Sequence, residues 1–311
     1  MRAMAKTRGG AAQDLQWRLE ALGFDLFTAL VRALPVEAAS SLGAWLGVTI
    51  GPLTRQHETA ERNLRLAFPA LDDAERARLL TAQWRNVGRA FTEFPVVDRL
   101  TPASGRVEVV NAERLAAIAA EGRPVVFVSG HFSNWEVMPA TIVASGVDCD
   151  MTYRAANNPY VDARIKQSRF RYGVRLFAPK GTDGARELLA ALQSGVSVAL
   201  MNDQKYDGGV PAPFFGRDVQ TLPAAVRLAL RFGTALQPMS VQRVGGARFR
   251  CIVHEPIAVT DTGDRTADIA AGVAAINAFI EARVRERPEE WFWVHRRWPA
   301  EDYAALAAEG F

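Results

Sequence analysis

Residues 124–136 read PVVFVSGHFSNWE, and this stretch decides the predicted fold. The run PVVFVS is short, apolar and rich in valine, which is typical of a strand that is buried on both faces of a sheet. Gly130 allows a sharp turn, and a helical pattern begins at about Asn134. A strand that leads directly into a helix is the repeating unit of α/β folds.

The same alternation continues towards the C-terminus. Further strands are predicted at residues 150–154, 175–178, 196–201, 235–244 and 248–257, and further helices at 159–172, 183–193, 223–232 and 267–286. The first hundred residues are predicted to be helical, including a helix that begins at Asp72 and Asp73 and runs towards Phe94. We therefore expect an α/β fold with a mixed central sheet flanked by helices on both faces. Residues 1–55 form a helical N-terminal segment and residues 56–311 the main domain.

The charge balance excludes one large class of function. The 311 residues contain 37 Lys and Arg against 34 Asp and Glu, a net charge of +3. Arg2, Lys6 and Arg8 account for that excess, so the body of the chain is neutral and lacks the basic surplus of a nucleic-acid-binding domain. Cys149 and Cys251 are too few for a disulfide framework, and no Cys/His spacing predicts a metal site.

The N-terminal segment has the pattern of a membrane-surface helix. Between residues 15 and 34, leucines recur every three or four positions, at Leu15, Leu19, Leu22, Leu26 and Leu30. Basic charge followed by an amphipathic helix favours binding to an anionic membrane surface, although such a helix can equally pack on the protein's own core. The uncharged residues 38–54 include three glycines and a proline and predict an interfacial or buried helix rather than a full span.

His131 is the strongest candidate for chemistry. It follows the predicted buried strand, at the end of a strand where ligands of α/β sheets bind. Glu136 lies five residues on, so it can reach the ring only if His131 sits just before the helix and folds back. A carboxylate that holds one ring nitrogen leaves the other nitrogen free to act as a base on a hydroxyl.

Three further clusters follow predicted strands or the final helix. Arg154 ends a strand, and Arg169 lies on the next helix, where both suit anion contacts. Asp203 leaves the strand VSVALM and precedes the apolar loop PAPFFG, a combination that suits a lipid-like ligand. Arg296 and Arg297 belong to EEWFWVHRRW, which is either a headgroup-binding surface or an aromatic strand with a basic end.

Several familiar active-site motifs are absent from the sequence. The chain contains no GxSxG, HExxH, GxGxxG or phosphate-binding loop motif. Since no nucleophilic side chain is indicated, a histidine base favours direct transfer of a group from an activated donor to a bound hydroxyl.

These blocks together resemble the bacterial lipid A biosynthesis acyltransferases, the late lauroyl and myristoyl transferases. The resemblance is in order and covers most of the chain. It rests on five segments of this sequence, NLRLAFPALDDAERARLL, GHFSNWE, YRAANNP with SRFR, NDQ with PAPFFG, and WVHRRW. The chain departs from the family pattern in lacking a clear transmembrane anchor and in having NDQK where the family has DQD.

The resemblance implies a glycerolipid-acyltransferase-like fold, with residues 56–311 as the acyltransferase domain. It implies transfer of a fatty acyl chain from an acyl carrier protein thioester to a hydroxyl of a 3-hydroxyacyl chain on a Kdo-bearing lipid A precursor, without a cofactor or metal. The reaction would take place at the cytoplasmic face of the inner membrane, with the enzyme peripheral or N-terminally anchored. The implied catalytic residues are His131, Glu136 and Arg169, and the implied substrate-binding residues are Asn134, Arg154, Asp203, Arg296 and Arg297.

The expected mechanism has His131 deprotonate the acceptor hydroxyl, Glu136 orient His131, and Arg169 or a backbone amide stabilise the oxyanion. Two other functions stay open at this point. One is a glycerolipid or phosphatidylinositol-mannoside acyltransferase with the same His-x4-acid chemistry, and the other is a non-catalytic lipid-binding protein at the membrane surface.

Overall fold

A computed structural model describes residues 10–177 and 181–310, and the basic tail residues Arg2, Lys6 and Arg8 lie outside this part of the chain. The predicted alternation of strands and helices is confirmed, with small shifts at the ends. The α-helices are α1 (Ala11–Ala33), α2 (Val36–Ile50), α3 (Arg55–Ala67), α4 (Asp73–Glu93), α5 (Ala112–Glu121), α6 (Val137–Ala144), α7 (Pro159–Phe170), α8 (Gly181–Gln193), α9 (Ala224–Phe232), α10 (Arg265–Glu286) and α11 (Ala300–Ala308). The strands are β1 (Val107–Val110), β2 (Val126–Ser129), β3 (Cys149–Thr152), β4 (Arg175–Phe177), β5 (Ser197–Met201), β6 (Val210–Phe214), β7 (Arg217–Thr221), β8 (Leu236–Gly245) and β9 (Arg248–Val253).

The central sheet is mixed, as predicted. Its order is β1-β9-β8-β2-β5-β3-β4, and the pairs are parallel except for the antiparallel pair β8–β9. All four residues of β2 are buried, because the sheet is covered on both faces. This central strand places the residues that follow Ser129 at the carboxyl edge of the sheet, between β8 and β5.

Three features differ from the sequence prediction. Strand β1 and the β6–β7 hairpin were not predicted, and the prolines Pro211 and Pro213 explain the second omission, since proline disfavours a strand inside a sheet but is tolerated in an isolated hairpin. Helix α6 begins at Val137 rather than near Asn134, because a turn with Ser133 at φ 48° fills the interval. Of the two alternatives for the C-terminal aromatic block, the strand does not form, because Pro288–Glu290 is a 3-10 turn and Trp291 makes only an isolated antiparallel bridge with Phe132.

Helix α2 packs one face on α4 through glycine contacts and leaves Trp45 and Ile50 exposed, which fits the prediction of an interfacial or buried helix. A Cβ at Gly43 would lie 2.3 Å from Gly88 O, and a Cβ at Gly88 would lie 2.0 Å from Gly43 O. The two backbones can approach this closely only because neither residue has a side chain. Within the described ranges, no helix combines the length and the hydropathy that crossing a membrane requires.

Helix α1 packs on α7 through polar contacts and leaves its leucines exposed. Asp14 accepts a hydrogen bond from Tyr160 Oη at 2.7 Å, and Asp25 forms an ion pair with Arg164 at 2.6 Å. The leucines at positions 15, 19, 22, 26 and 30 of α1 are 53–64% exposed. The alternative in which this stripe packs on the protein's own core is therefore wrong for the described chain.

Candidate active site

The register of two neighbouring strands brings His131 and Asp203 together. β2 and β5 are parallel, and Ser129 is paired with Met201. His131 follows Ser129 by two residues and Asp203 follows Met201 by two residues, so both leave the sheet at the same level. Gly130 is required here because a Cβ at that position would lie 2.9 Å from the ring of Phe132 and 3.3 Å from Asp203 Oδ2.

Asp203 holds His131 through its backbone and its ring. Asp203 Oδ2 accepts the His131 backbone N–H at 2.7 Å, and Asp203 Oδ1 lies 2.8 Å from His131 Nδ1. Trp291 Nε1 donates to Asp203 Oδ2 at 2.8 Å, which fixes the carboxylate in turn. A carboxylate at Nδ1 favours the tautomer with hydrogen on Nδ1, so Nε2 keeps its lone pair.

The electrostatics of the pair favour a basic imidazole. Burial disfavours the charged ring, but the Asp203 carboxylate and, more weakly, Glu136 raise the pKa of His131 above its ordinary 6.5. Burial likewise disfavours ionised Asp203, yet the charge and hydrogen bonds of His131 lower the pKa of Asp203 to about 2. Trp135 packs edge-on against the His131 ring, with centroids 5.1 Å apart, and restricts its rotation. His131 is therefore a fixed base with a strengthened affinity for a proton.

Glu136 belongs to a second buried pair. Arg169 Nε donates to Glu136 Oε2 at 2.8 Å, Arg169 Nη2 donates to Glu136 Oε1, and Tyr172 Oη donates to Oε2 at 3.1 Å. Burial raises the pKa of Glu136, but the charge and hydrogen bonds of Arg169 outweigh it, so the pKa lies below the ordinary 4.5. Burial and the charge of Glu136 raise the pKa of Tyr172, which stays a neutral donor.

The expected hydrogen bond between Glu136 and His131 is not formed. The ring nitrogen that the sequence assigned to Glu136 is bonded to Asp203, while both oxygens of Glu136 are bonded to Arg169 and Tyr172. Glu136 acts on His131 only through its charge, which raises the pKa of the ring. Asp203, expected to bind substrate, instead lies behind the ring and is 3% exposed.

A cavity of about 220 Å³ opens at these residues. His131, Glu136, Arg154 and Arg169 line its polar end. Its remaining wall is mostly apolar and includes Phe127, Ile142, Met151, Val174 and Met239. The cavity therefore suits a molecule with a hydrocarbon chain and a polar group, with the polar group beside His131.

Asn134 holds the turn and does not reach this cavity, contrary to the expected substrate contact. It is fully buried, its Nδ2 donates to Glu93 Oε2 at 2.9 Å, and its Oδ1 accepts the Glu136 backbone N–H at 3.2 Å. Glu93 is paired with the Arg243 guanidinium at 2.6 Å and 3.0 Å. Asn134 thus connects the turn that carries Glu136 to helix α4.

The two arginines of the C-terminal block lie in different environments, one buried and one exposed. Arg297 is 1% exposed and donates to Gln220 O, Thr221 Oγ1 and Asn277 Oδ1, so the expected contact with a ligand is wrong. Arg296 is exposed, and its guanidinium lies over the Tyr303 ring at 5.4 Å. Arg154 is exposed and lines the cavity, and its anion contact stays a prediction.

Sequence reasoning missed Tyr172 and Trp291 as supporting residues. Tyr172 lies three positions after Arg169, close to the next helical turn, which was a signal that both could reach one carboxylate. Trp291 lies 88 positions from Asp203, and no local pattern links the two.

An acid–histidine pair beside a mostly apolar cavity suits acid–base chemistry on a hydroxyl of a lipid-like molecule. Residues 20–300 match the family described as bacterial lipid A biosynthesis acyltransferase, and the chain belongs to this family. It is therefore an acyltransferase.

Three relatives named as lipid A biosynthesis acyltransferases align with this chain over most of their length. The chain is 25% identical over 271 residues to the lipid A biosynthesis palmitoleoyltransferase of Escherichia coli (strain K12), which covers 85% of this chain and 86% of the relative. It is 25% identical over 277 residues to the lipid A biosynthesis lauroyltransferase of the same organism, covering 86% and 87%. It is 26% identical over 279 residues to the lipid A biosynthesis acyltransferase of Haemophilus influenzae, covering 86% of each chain.

Proposed function

We propose that this protein transfers a fatty acyl chain from an acyl carrier protein thioester to a hydroxyl of a 3-hydroxyacyl chain on a Kdo-bearing lipid A precursor. The observation that carries the proposal is that His131 lines a mostly apolar cavity while Asp203 holds its Nδ1, which leaves Nε2 without a hydrogen-bond partner among the described residues. The names of the relatives support a lipid A acceptor. No cofactor is needed, because the thioester supplies the activation.

The reaction is a direct transfer. His131 Nε2 takes the proton of the acceptor hydroxyl while its oxygen attacks the thioester carbonyl. The carbon–sulfur bond then breaks, and the proton passes from His131 to the leaving thiolate. Asp203 stabilises the imidazolium that forms between these steps, since its carboxylate is ionised at any working pH.

Glu136 and Arg169 act as a rigid unit beside the base. Glu136 uses both oxygens on Arg169 and Tyr172, so its proposed role is to hold Arg169 in place and to add negative charge near the imidazolium. Arg169 lines the cavity, which suits stabilisation of the oxyanion that develops on the thioester oxygen. Arg154 at the cavity mouth and the exposed Arg296 are assigned to anionic groups of the acceptor.

The exposed leucine stripe of α1 is the proposed membrane contact. Burial of one leucine side chain in the lipid interface contributes about 1.5 kcal/mol, or roughly a tenfold change in partitioning. Leu19→Gln should therefore lower the bound fraction on phosphatidylglycerol vesicles about tenfold, whereas Val244→Gln, at another exposed apolar residue, should not. Equal binding by both variants would reject a peripheral position at the inner membrane through α1.

An in vitro assay tests the proposed reaction. The full chain is incubated with the Kdo-bearing lipid A precursor and a panel of carrier-protein thioesters, and the lipid is analysed by mass spectrometry. Gain of one acyl mass is expected. Acylation of lysophospholipid or phosphatidylinositol mannoside instead would favour the glycerolipid or mannoside acyltransferase, and lipid binding without consumption of any thioester would favour the non-catalytic binding protein.

A further inference from the structure

A second, larger cavity adjoins the catalytic one. Its volume is about 800 Å³, and it lies between helices α8 and α9 and the ends of strands β3 and β5. Thr152, Leu200 and Met201 line both cavities, so the two spaces lie next to each other at the carboxyl ends of β3 and β5. Pockets for small molecules commonly measure about 300–1,000 Å³. The second cavity falls in this range, whereas the catalytic cavity, at about 220 Å³, does not.

The inner wall of the second cavity suits a hydrocarbon or other elongated chain. Leu188, Leu189, Leu222 and Leu228 contribute to it, and Leu188 and Leu228 are 5% and 6% exposed. Tyr206 stands at the opening and is 49% exposed. Water gains few hydrogen bonds from such a wall, so an apolar ligand would displace it favourably.

The rim of this cavity carries concentrated positive charge. Arg227 and Arg231 lie four residues apart on α9 and share one face of the helix, and Arg265 is the first residue of α10. Among the described residues that line the cavity, none is an Asp or a Glu. Like charges four apart repel, and a cation at a helix N-terminus opposes the helix dipole.

These three arginines also have no partner in the described chain. Arg164 and Arg175, by contrast, are held in ion pairs with aspartates. Three guanidinium groups that have no ion-pair partner among the described residues match an anion with several oxygens. A phosphate can accept from more than one guanidinium fork, whereas a carboxylate has only two oxygens to share.

We propose that this cavity binds the acylated phosphopantetheine arm of the donor thioester, with its phosphate between Arg227, Arg231 and Arg265. The arm then runs along the apolar wall to the shared residues Thr152 and Met201, where the thioester meets the catalytic cavity. The choice of donor rests on the proposed function. Arg154 and Arg296 serve the acceptor there, so this separate anion site is left for the second substrate.

Equilibrium binding without turnover tests the site. The probe is lauroyl-pantetheine 4′-phosphate, measured by calorimetry on the full chain, with lauroyl-pantetheine as the probe that lacks phosphate. Arg227→Gln/Arg231→Gln should weaken the phosphorylated probe by at least about tenfold, since charged hydrogen bonds are lost. The matched double variant Arg55→Gln/Arg78→Gln, at exposed arginines elsewhere, should bind as the wild type does.

Three results would overturn the assignment. Equal affinity of the wild type for both probes would show that phosphate is not recognised, and undiminished binding by Arg227→Gln/Arg231→Gln would show that these arginines are not the site. If this variant instead weakens only the phosphorylated lipid A precursor, the cavity belongs to the acceptor and the donor assignment fails. His131→Ala should bind the probe normally, so a failure of the catalytic proposal remains distinguishable from a failure of this site.

Discussion

Replacing Asp203 by asparagine should stop Nε2 of His131 from acting as a base, while the volume of the side chain at position 203 hardly changes. Asp203 Oδ2 accepts two N–H groups, from the His131 backbone and Trp291 Nε1, while Oδ1 faces only His131 Nδ1. The amide oxygen of asparagine will occupy the position that meets two donors, which puts its NH₂ group against Nδ1. His131 Nδ1 must then accept, and the proton moves to Nε2, where it blocks proton abstraction.

The loss can be estimated from two contributions. A misplaced tautomer removes general-base catalysis, which is worth about 10²–10⁴ in rate, or roughly 3–5 kcal/mol. Loss of the carboxylate charge also lowers the pKa of His131, because Asp203 is what outweighs burial there. Since transfer requires neutral His131, the wild-type rate should rise with pH through a pKa above 6.5, and any residual rate of Asp203→Asn should rise at lower pH.

The assay is single-turnover acyl transfer between pH 5 and 9, followed by mass spectrometry of the lipid. Asp207→Asn, in the same loop but 88% exposed and paired only with Lys205, is the matched control and should retain wild-type rates. An Asp203→Asn rate within about threefold of wild type, with an unshifted acid limb, would refute the orienting role of Asp203.

The remaining predictions concern stability. Glu136→Gln leaves buried Arg169 without its counter-charge and should lower the free energy of unfolding by roughly 3 kcal/mol at pH 7, measured by urea unfolding. Because the pKa of Glu136 is lowered in the folded state, the greater stability of the wild type should be present above pH 4.5 and shrink below it. A stability difference that does not change with pH would contradict this. Arg297→Met removes three charged hydrogen bonds, two of them buried, and should lower the free energy of unfolding by about 2–4 kcal/mol, so an unchanged urea midpoint would argue against the observed contacts. Gly88→Ala forces α2 away from α4 and should lower the free energy of unfolding by about 1–3 kcal/mol. Gly23→Ala has open space around it and should stabilise the protein slightly. The reverse order of melting temperatures would be inconsistent with close packing of Gly88 on Gly43.

The alternation of elements could be predicted from the sequence because strand and helix periodicities are local. PVVFVS had to be a buried strand, and His131 had to follow it at the carboxyl edge of the sheet. The partner of His131 could not be predicted in the same way. Glu136 is near in sequence, but Asp203 is near in space because β5 lies beside β2, and strand order depends on the packing of the whole chain.

Burial of polar residues was equally inaccessible to local reasoning. Asn134 and Arg297 stand in blocks that resemble ligand-binding segments, yet each satisfies partners on distant elements, Glu93 on α4 and Thr221 on β7. The leucine spacing of α1 predicted a helix, while the exposure of its apolar face followed only from the polar docking of α1 on α7.

The catalytic role of His131 is tested most directly by the single-turnover rate of His131→Ala with the lipid A precursor and a carrier-protein thioester. The fold should persist, with an unchanged circular dichroism spectrum, because the ring packs at the cavity rather than in the core. The rate should fall by about 10²–10⁴ at pH 8. Acyl transfer by His131→Ala within a few-fold of the wild type would contradict a mechanism in which this imidazole removes the proton of the acceptor.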